Sequence, residues 1–430
     1  MQSQKLDNQG TRDSSRGNRF LYLECIGCKT RYPTRTHSRC TKCGGLLDAR
    51  YDLEGLDFDL KNLRRGSIWQ FRDLMPPIAE KNIVTLGEGW TALVSAGRYG
   101  ESIQHGDTWC KLEGQNPTGS FKDRAASLGV SLTREWGKKG VFVSSSGNAA
   151  AAVAAYAARA GIGCLVLIRE DSTASKLGQI AMYGASLLRV RGIFNSKETL
   201  ERALNLTQEA LPEWLNHFIW SPYNPLLVDG LKTVAYEIAA QAGAGENLPD
   251  FIFVPTAGGD LLYGIYKGFM ELKEAGAIDR VPGMVVAQGR DSSPTVSAIE
   301  TGAEKVPETE RAETIAGALR VNFGTEHALV AVRSSKGFGV ALSDEEILAA
   351  QRGVARLDGI FTEVSSATAL AGIPKAIEEG KMGKDQKALA ILTGFGLKDY
   401  YPPFNDISKV PLAQSIESIP EALRNTVFKQ

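Results

Sequence analysis

The chain has 430 residues, which is too long for one small core and predicts two or three folding units. Its 49 basic and 49 acidic residues cancel, so it carries no basic field that would attract nucleic acid or a membrane surface. The first nineteen residues are polar, and no run of about eighteen apolar residues occurs anywhere. We therefore expect a soluble, cytoplasmic protein without a nucleic acid or a membrane as partner.

Four of the six cysteines form two close pairs near the N-terminus. Cys25 and Cys28 are the first pair, Cys40 and Cys43 are the second, and eleven residues separate the pairs. Such spacing can place four thiolates tetrahedrally around Zn²⁺, whereas disulfides fit a reducing compartment poorly. Because four protein ligands leave the ion no open position, we expect a structural zinc site.

The chain divides into segments of different composition. We predict a flexible tail over residues 1–19, a zinc ribbon over residues 20–52 and a connecting segment over residues 53–82. In the connecting segment, the apolar side chains expected to anchor it to the main body are Trp69, Phe71 and Leu74.

Strands and helices alternate after residue 83. We predict strands over residues 108–112, 140–144, 163–168, 186–190, 251–255, 283–288 and 388–393. The predicted helices cover residues 125–136, 149–160, 175–183, 196–210, 230–242 and 261–275. This alternation predicts an α/β fold with doubly wound parallel sheets in two lobes, which bind ligands where the carboxyl ends of the strands meet.

A lysine follows a cluster of turn-forming residues at the start of this region. Asn116, Pro117 and Gly119 interrupt any regular element, and Lys122 then stands where a helix-forming run begins. The positive end of a helix disfavours a charged amine, which is tolerable if the amine forms an imine with a carbonyl cofactor. Taken alone, such a lysine would be assigned to an exposed loop.

Two further loops join a predicted strand to a predicted helix. The first is Ser144-Ser-Ser-Gly-Asn148, and the second is Pro255-Thr-Ala-Gly-Gly-Asp-Leu-Leu262. Backbone amides at a helix N-terminus suit a carboxylate or a phosphate. The first loop has a simple capping turn as its alternative interpretation, and a glycine pair alone is weak evidence for the second.

Together with Leu392-Thr-Gly-Phe-Gly-Leu-Lys-Asp399, these segments resemble the threonine synthase family, whose Asn-Pro-Thr-Gly-Ser-Phe-Lys-Asp-Arg motif carries the cofactor-bound lysine. The resemblance covers the ribbon and nearly all of residues 83–400. It implies the fold of type II pyridoxal-phosphate enzymes: two doubly wound α/β lobes preceded by the zinc ribbon. The catalytic region would span residues 83–430, with a smaller mobile lobe inserted at about residues 125–225.

The resemblance also implies roles for single residues. Lys122 would be the catalytic residue and the covalent attachment point of pyridoxal 5'-phosphate. The other cofactor-binding residues would be Asn148 at the phenolic oxygen, Thr393 at the ring nitrogen, and Thr256, Ala257, Gly258 and Gly259 at the phosphate. The substrate carboxylate would be bound by Ser145, Ser146 and Gly147, and the pocket would be lined by Glu363 and Ser365. A neutral hydroxyl at the ring nitrogen favours elimination and replacement over transamination.

Some positions depart from the family pattern. Ala149 stands where the family has threonine, and Leu227 stands where it has an arginine that grips a phosphate. The family's loop at this place is usually one residue longer and carries asparagines, so Asp260 is a departure and its role stays open. Arg290 and Asp291 either supply a relocated anion contact or form a solvated turn.

Three functions remain as alternatives. The resemblance implies a lyase of amino-acid biosynthesis that converts O-phosphohomoserine and water to threonine and phosphate. The departures favour β-elimination or β-replacement on another serine- or homoserine-type substrate. A non-catalytic binding protein is the third alternative, which the joint presence of Lys122, Asn148 and Thr393 argues against. Whether the chain forms a homodimer stays open.

Overall fold

The computed structural model describes residues 17–33, 38–56, 58–60, 63, 65–172, 174–243, 247–309, 312–399, 412–416, 418–420 and 422. Most of the tail predicted over residues 1–19 lies outside these residues. Residues Met1–Gly396 belong to one compact unit, and residues Leu397–Gln430 belong to a second. In the described part of the chain, no helix is both long enough and apolar enough to cross a bilayer.

A small antiparallel sheet contains the cysteine pairs. Its strands are β1 (Phe20–Cys25), β2 (Arg31–Tyr32) and β3 (Leu47–Tyr51), in the order β2-β1-β3. Cys25 ends β1 and Cys28 lies in the turn after it, and the second pair lies shortly before β3. The buried side chains of this sheet join the same apolar cluster as the main body.

The segment after the ribbon is held by buried apolar side chains, as predicted. Trp69, Phe71 and Leu74 are all buried. The Trp69 indole N–H donates to the Ser127 hydroxyl at 2.8 Å, and the Phe71 ring centroid lies 4.9 Å from that of Tyr236. This segment therefore packs onto the α/β region and does not form a free linker.

A six-stranded sheet organises the main body. Its order is β12-β11-β10-β13-β5-β4, and all of its pairs are parallel except β4 with β5. The strands are β4 (Leu93–Ser95), β5 (Thr108–Leu112), β10 (Phe251–Pro255), β11 (Gly283–Gly289), β12 (Phe338–Leu342) and β13 (Ala388–Leu392).

Helices cover both faces of this sheet. Along β13, Leu389 and Ile391 point into one apolar cluster, whereas Ala388 and Ala390 point into another. Alternate side chains of a strand face opposite sides, so both faces are buried and the strand is apolar throughout. The helices with this sheet are α1 (Gly97–Ser102), α2 (Lys122–Glu135), α6 (Val228–Ala242), α7 (Asp260–Glu274), α8 (Pro294–Glu300), α9 (Glu326–Ser334), α10 (Asp344–Asp358) and α11 (Val364–Glu378).

A four-stranded parallel sheet is inserted between β5 and β10 of the chain. Its order is β8-β7-β6-β9. The Trp214 ring lies where side chains on Gly140 and Gly163 would be, so this edge of the sheet requires glycine. The elements are β6 (Gly140–Ser144), α3 (Asn148–Ala160), β7 (Gly163–Arg169), α4 (Ala174–Met182), β8 (Ser186–Val190), α5 (Lys197–Ala210) and β9 (Trp214–Asn216).

The predicted α/β architecture with two parallel sheets is confirmed. Every strand predicted after residue 100 is present, and four of them, β5, β6, β8 and β10, have the predicted bounds. No strand was predicted for β4, β9 or β12, and no helix was predicted for α1 or for α8 to α11. The Ser343 and Glu346 capping box that begins α10 is a readable signal, whereas β9 is too short to show alternation.

Candidate active site

Lys122 is the first residue of α2, where the turn residues before it predicted a helix to begin. The loop that carries it lies against the end of β13. The Phe121 backbone N–H donates to the Thr393 carbonyl at 3.0 Å, and Ser120 forms a β-bridge with Gly394. Residues at the end of β13 are thereby held next to the lysine.

The side chain of Lys122 has a perturbed acid–base equilibrium. Burial lowers the pKa of Lys122 to about 8, while the negative charges of Asp260 and Glu363 act in the opposite direction. Its Nζ lies 4.5 Å from the centroid of the Phe121 ring. An amine with a pKa of about 8 is partly neutral near physiological pH, and the neutral form is the nucleophile.

Below the loop, a fully buried ion network fixes its conformation. Arg124 pairs with Glu113 through Nη2 at 2.7 Å and with Glu237 through Nη1 at 2.5 Å, and all three side chains are 0% exposed. Lys111 adds a second bond to Glu237 at 2.8 Å. Burial alone would raise the pKa of Glu237, but the charges of Arg124 and Lys111 lower it to about 2. Because Asn116 donates to Glu113 at 3.0 Å, the turn before Lys122 is tied to this network.

The first strand-to-helix loop lies at the carboxyl end of β6. Asn148 begins α3, and its side-chain amide donates to both carboxylate oxygens of Glu363 at 3.1 Å each. Ser145 and Ser146 are partly buried, and Gly147 is exposed and donates its N–H to the Ser145 hydroxyl at 3.2 Å. The bond from Asn148 to Glu363 brings this loop to the same place as Lys122.

The second strand-to-helix loop lies between β10 and α7. Gly259 has a φ of 103°, a conformation that other residues rarely adopt, and Asp260 begins the helix. The Asp260 carboxylate accepts the Ser221 backbone N–H at 3.2 and 3.1 Å. Burial raises the pKa of Asp260 to about 6. Thr256 turns its hydroxyl back to the Val254 carbonyl at 2.8 Å.

Thr393 has a partner that the sequence analysis missed. Its hydroxyl lies 2.9 Å from the hydroxyl of Ser366, which also accepts the Gly394 N–H at 2.8 Å. The neighbouring Ser365, which the resemblance assigned to the pocket, accepts the Ala318 N–H at 3.1 Å. Adjacent serines near a helix start point in different directions, and no sequence signal distinguished them.

The departures from the family pattern lie in different surroundings. Leu227 is only 4% exposed and belongs to the main core. A guanidinium there would be buried among apolar side chains. Arg290 has a 58% exposed side chain 3.6 Å from Glu346, and Asp291 is exposed as well, which supports the solvated turn. Ala149 packs at the edge of the main core.

The four cysteines come together as predicted from their spacing. The Sγ atoms of Cys25, Cys28, Cys40 and Cys43 lie within 4.8 Å of one another. Cys25 and Cys43 are 3.5 Å apart, and Cys28 and Cys40 are 3.4 Å apart, and all four are free thiols. The Tyr32 hydroxyl lies 3.1 Å from the Cys40 sulfur. Four sulfur atoms in this arrangement could hold one tetrahedral metal ion.

A family model decides which class of protein has this site. The model for pyridoxal-phosphate-dependent enzymes matches residues 84–394, a range that includes Lys122, both strand-to-helix loops and Thr393. The chain belongs to this family. As a family member it uses pyridoxal 5'-phosphate.

Curated relatives agree with this family assignment. The threonine synthase of Methanosarcina acetivorans is 37% identical over 415 residues, which cover 95% of this chain and 99% of that protein. The threonine synthase of Methanocaldococcus jannaschii is 37% identical over 88% of this chain and 93% of its own length. That of Mycobacterium tuberculosis is 36% identical over 80% and 92%. With such relatives, the pyridoxal-phosphate-dependent enzyme described here is a lyase.

Solved structures share the fold. The serine racemase of Dictyostelium discoideum superposes with a TM-score of 0.60 at 24% identity, covering 78% of this chain and 100% of that chain. A threonine deaminase from tomato, Solanum lycopersicum, superposes with a TM-score of 0.61 at 21% identity, covering 78% and 92%. These structures support the two-sheet architecture of this family member.

Proposed function

We propose that this lyase converts O-phosphohomoserine and water to threonine and phosphate. The observation that carries the proposal is the meeting of Lys122, Asn148, Glu363 and Thr393 at the carboxyl ends of β5, β6 and β13, in a chain 37% identical to a threonine synthase over 95% of its length. These are the residues that the resemblance assigned to the cofactor pocket.

The residues present fit pyridoxal 5'-phosphate. Lys122 offers an amine whose pKa of about 8 leaves a neutral fraction for attachment to the aldehyde. The loop from Thr256 to Gly259 precedes the 15-residue helix α7, whose N-terminus favours a phosphate. Asp260 places a carboxylate at that helix start, where it accepts the Ser221 backbone N–H at 3.2 and 3.1 Å.

When bound, pyridoxal 5'-phosphate supplies an electron sink for negative charge at the carbon atoms of an amino acid. In our proposal, the Nζ of Lys122 removes and returns protons at the α and β carbons of the substrate. Asn148 would hold the phenolic oxygen of the cofactor, with its orientation fixed by Glu363. The Thr393 hydroxyl would face the ring nitrogen without placing a negative charge there.

The loop before α3 binds the substrate carboxylate in this proposal. Ser145, Ser146 and Gly147 precede the first residue of α3, so their amides lie at the positive end of a 13-residue helix. An anion at that position holds the α carbon of the substrate in place next to Lys122. The γ phosphate then leaves, water adds to the β carbon, and threonine forms.

A second candidate is β-elimination or β-replacement on another serine- or homoserine-type amino acid. It is favoured by the position of Leu227 in the core, because the resemblance expects an arginine there for the substrate phosphate. Loss of such a charged bond would remove about 1.5 to 3 kcal/mol of binding free energy. The two candidates share Lys122 and differ in the leaving group.

Product analysis separates the two candidates. With O-phosphohomoserine, the reconstituted protein should release threonine and phosphate in equal amounts, and Lys122→Ala should release neither. Lys139→Ala is the matched control, because that lysine has a 69% exposed side chain. Formation of an oxo acid from serine or homoserine esters, without threonine from O-phosphohomoserine, would support the second candidate instead.

We also propose the remaining assignments. Cys25, Cys28, Cys40 and Cys43 hold a structural zinc ion, and residues 20–52 form the ribbon around it. The catalytic region begins at residue 83, and its smaller lobe, about residues 125–225, moves relative to the large sheet. A cytoplasmic location is part of the same proposal.

A further inference from the structure

The indole ring of Trp220 lies against the loop between β10 and α7. The side chain is 3% exposed. A Cβ atom built on Gly258 would lie 3.1 Å from both Cδ1 and Nε1 of this ring. The N–H edge of the indole, and not its six-membered ring, therefore faces the glycine at the centre of the loop.

The Trp220 N–H lacks a hydrogen-bond acceptor in the described part of the chain, whereas two other tryptophan N–H groups have one. Among the residues that the structure describes, Nε1 of Trp220 is buried and has no hydrogen-bond acceptor. In contrast, the Trp69 N–H donates to Ser127 at 2.8 Å and the Trp109 N–H donates to Asp107 at 2.5 Å. A buried donor without an acceptor is costly, and in native proteins such a group calls for a missing partner.

Several contacts hold the ring in this position. The next residue, Ser221, donates its backbone N–H to the Asp260 carboxylate at 3.2 and 3.1 Å. The ring centroid of Trp220 lies 4.7 Å from that of Phe323 and 5.7 Å from that of Tyr223. The orientation of the N–H is thus fixed by packing on one side and by the first residue of α7 on the other.

The loop that Trp220 contacts is suited to an anion. Gly258 and Gly259 precede a 15-residue helix, whose N-terminus presents unpaired amides and a positive end of the helix dipole. The Thr325 hydroxyl donates to the Gly258 carbonyl at 2.9 Å, so this carbonyl already has a donor. The carboxylate of Asp260, at the first position of this helix, cannot supply a donor when it is ionised.

We propose that the indole N–H of Trp220 donates a hydrogen bond to the phosphate group of the bound cofactor. Trp220 thereby supplies the donor that the aspartate at position 260 does not offer. Asp260 acts as a positioning residue, since it holds the backbone of Ser221 and with it the ring of Trp220. The inference rests on the proposed phosphate-binding role of the loop, and it adds a ligand from outside that loop.

Cofactor titration with and without the phosphate tests this inference. Apoprotein is titrated with pyridoxal 5'-phosphate and, in parallel, with pyridoxal, following the absorbance of the lysine-bound form. Trp220→Phe keeps the aromatic packing and removes the N–H. We expect it to weaken the binding of pyridoxal 5'-phosphate about tenfold or more, and to leave the binding of pyridoxal unchanged.

The control and the contrary outcomes are defined by the same titrations. Trp109→Phe, a change at a 38% exposed tryptophan, should alter neither affinity. Equal losses for both ligands in Trp220→Phe would mean a packing role only, and unchanged affinity for pyridoxal 5'-phosphate would mean no bond; either result overturns the proposal. Because no amino-acid substrate is used, the outcome does not depend on which reaction the lyase catalyses.

A phosphorus signal gives a readout that is independent of affinity. The ³¹P resonance of bound pyridoxal 5'-phosphate should shift between wild-type protein and Trp220→Phe, because a donor at the phosphate is lost. It should not shift in Trp109→Phe. An identical ³¹P resonance in the wild type and in Trp220→Phe would contradict the bond.

Discussion

The side-chain amide of Asn148 donates to both carboxylate oxygens of Glu363 at 3.1 Å each. This contact joins the first residue of α3, on the four-stranded sheet, to the residue before α11, on the six-stranded sheet. It lies next to Lys122, whose pKa responds to the Glu363 charge. The charged Glu363 side chain therefore joins the two sheets next to Lys122.

The pH dependence of cofactor attachment should report the perturbed amine. Only neutral Lys122 attacks the aldehyde, so the rate of attachment should rise with pH and level off above about pH 8, the lowered pKa of this lysine. Glu363→Gln removes a charge that raises this pKa, so its inflection should lie at lower pH. Stopped-flow absorbance of apoprotein measures both. Glu345→Gln, at an exposed glutamate, is the control and should leave the inflection unchanged. In wild-type protein, an inflection of the attachment rate near pH 10.5 would contradict the lowered pKa of Lys122.

The same amine should make the stability of the apoprotein depend on pH. Folding lowers the pKa of Lys122 from 10.5 to about 8, so between these values the unfolded chain binds more protons and stability rises with pH. Lys122→Met should raise the Tm of the apoprotein at pH 7, with a gain that shrinks above pH 8 and vanishes above about pH 10.5. Lys139→Met, at a 69% exposed lysine, should show no such trend. A pH-independent gain would mean that packing, not ionisation, is responsible.

Local sequence signals explain why the position of Lys122 could be predicted. Asn116, Pro117 and Gly119 cannot continue a regular element, and the following run forms helix readily, so the start of α2 was fixed by neighbours in the chain. Most strands of both sheets were also predictable, since they are short apolar runs between turn residues; β4, β9 and β12 are the exceptions. These features depend on a few consecutive residues.

Contacts between distant residues could not be predicted in this way. Asn148 and Glu363 are 215 positions apart, and Ser366 and Thr393 are 27 apart. Which strand ends meet decides such pairs, and no pattern in a single sequence records it. The Trp220 ring at Gly258 belongs to the same class, as does the burial of Leu227 in the main core.

The ion network below the lysine loop should be essential for stability. Arg124 is 0% exposed and forms charged hydrogen bonds to Glu113 and Glu237. Arg124→Met would leave two buried carboxylates without their main partner, which should cost about 3 to 5 kcal/mol in the free energy of unfolding. Urea denaturation measures this. Arg72→Met, at a 54% exposed arginine 3.6 Å from Glu80, should cost less than about 1 kcal/mol. A similarly small loss for Arg124→Met would show that the network is dispensable.

Metal removal should destabilise the main body of the protein as well as the ribbon. Asp48 of β3 forms an ion pair with Lys267 of α7 at 2.7 Å, and both side chains are buried. Disorder of the ribbon would leave Lys267 without this partner. We therefore expect one zinc ion per chain by mass spectrometry, its loss in Cys43→Ser, and a lower Tm of the main unfolding transition after chelation. Cys110→Ser, at a cysteine outside the cluster, should keep the metal. A metal-free wild-type protein of unchanged Tm would refute the zinc assignment.

Gly394→Ala should disturb the contact between the two sheets, although it replaces no charged residue. A Cβ atom there would lie 2.4 Å from the Glu363 carboxylate, so that side chain must move and release the Asn148 amide. Since the end of a glutamate is flexible, Gly394→Ala should fold, yet it should lower cofactor affinity to about the level of Glu363→Ala. Absorbance titration measures this affinity. Gly106→Ala is the control, because nothing lies within 4 Å of its Cβ position. Wild-type affinity in Gly394→Ala would show that the bond from Asn148 to Glu363 does not organise the cofactor pocket.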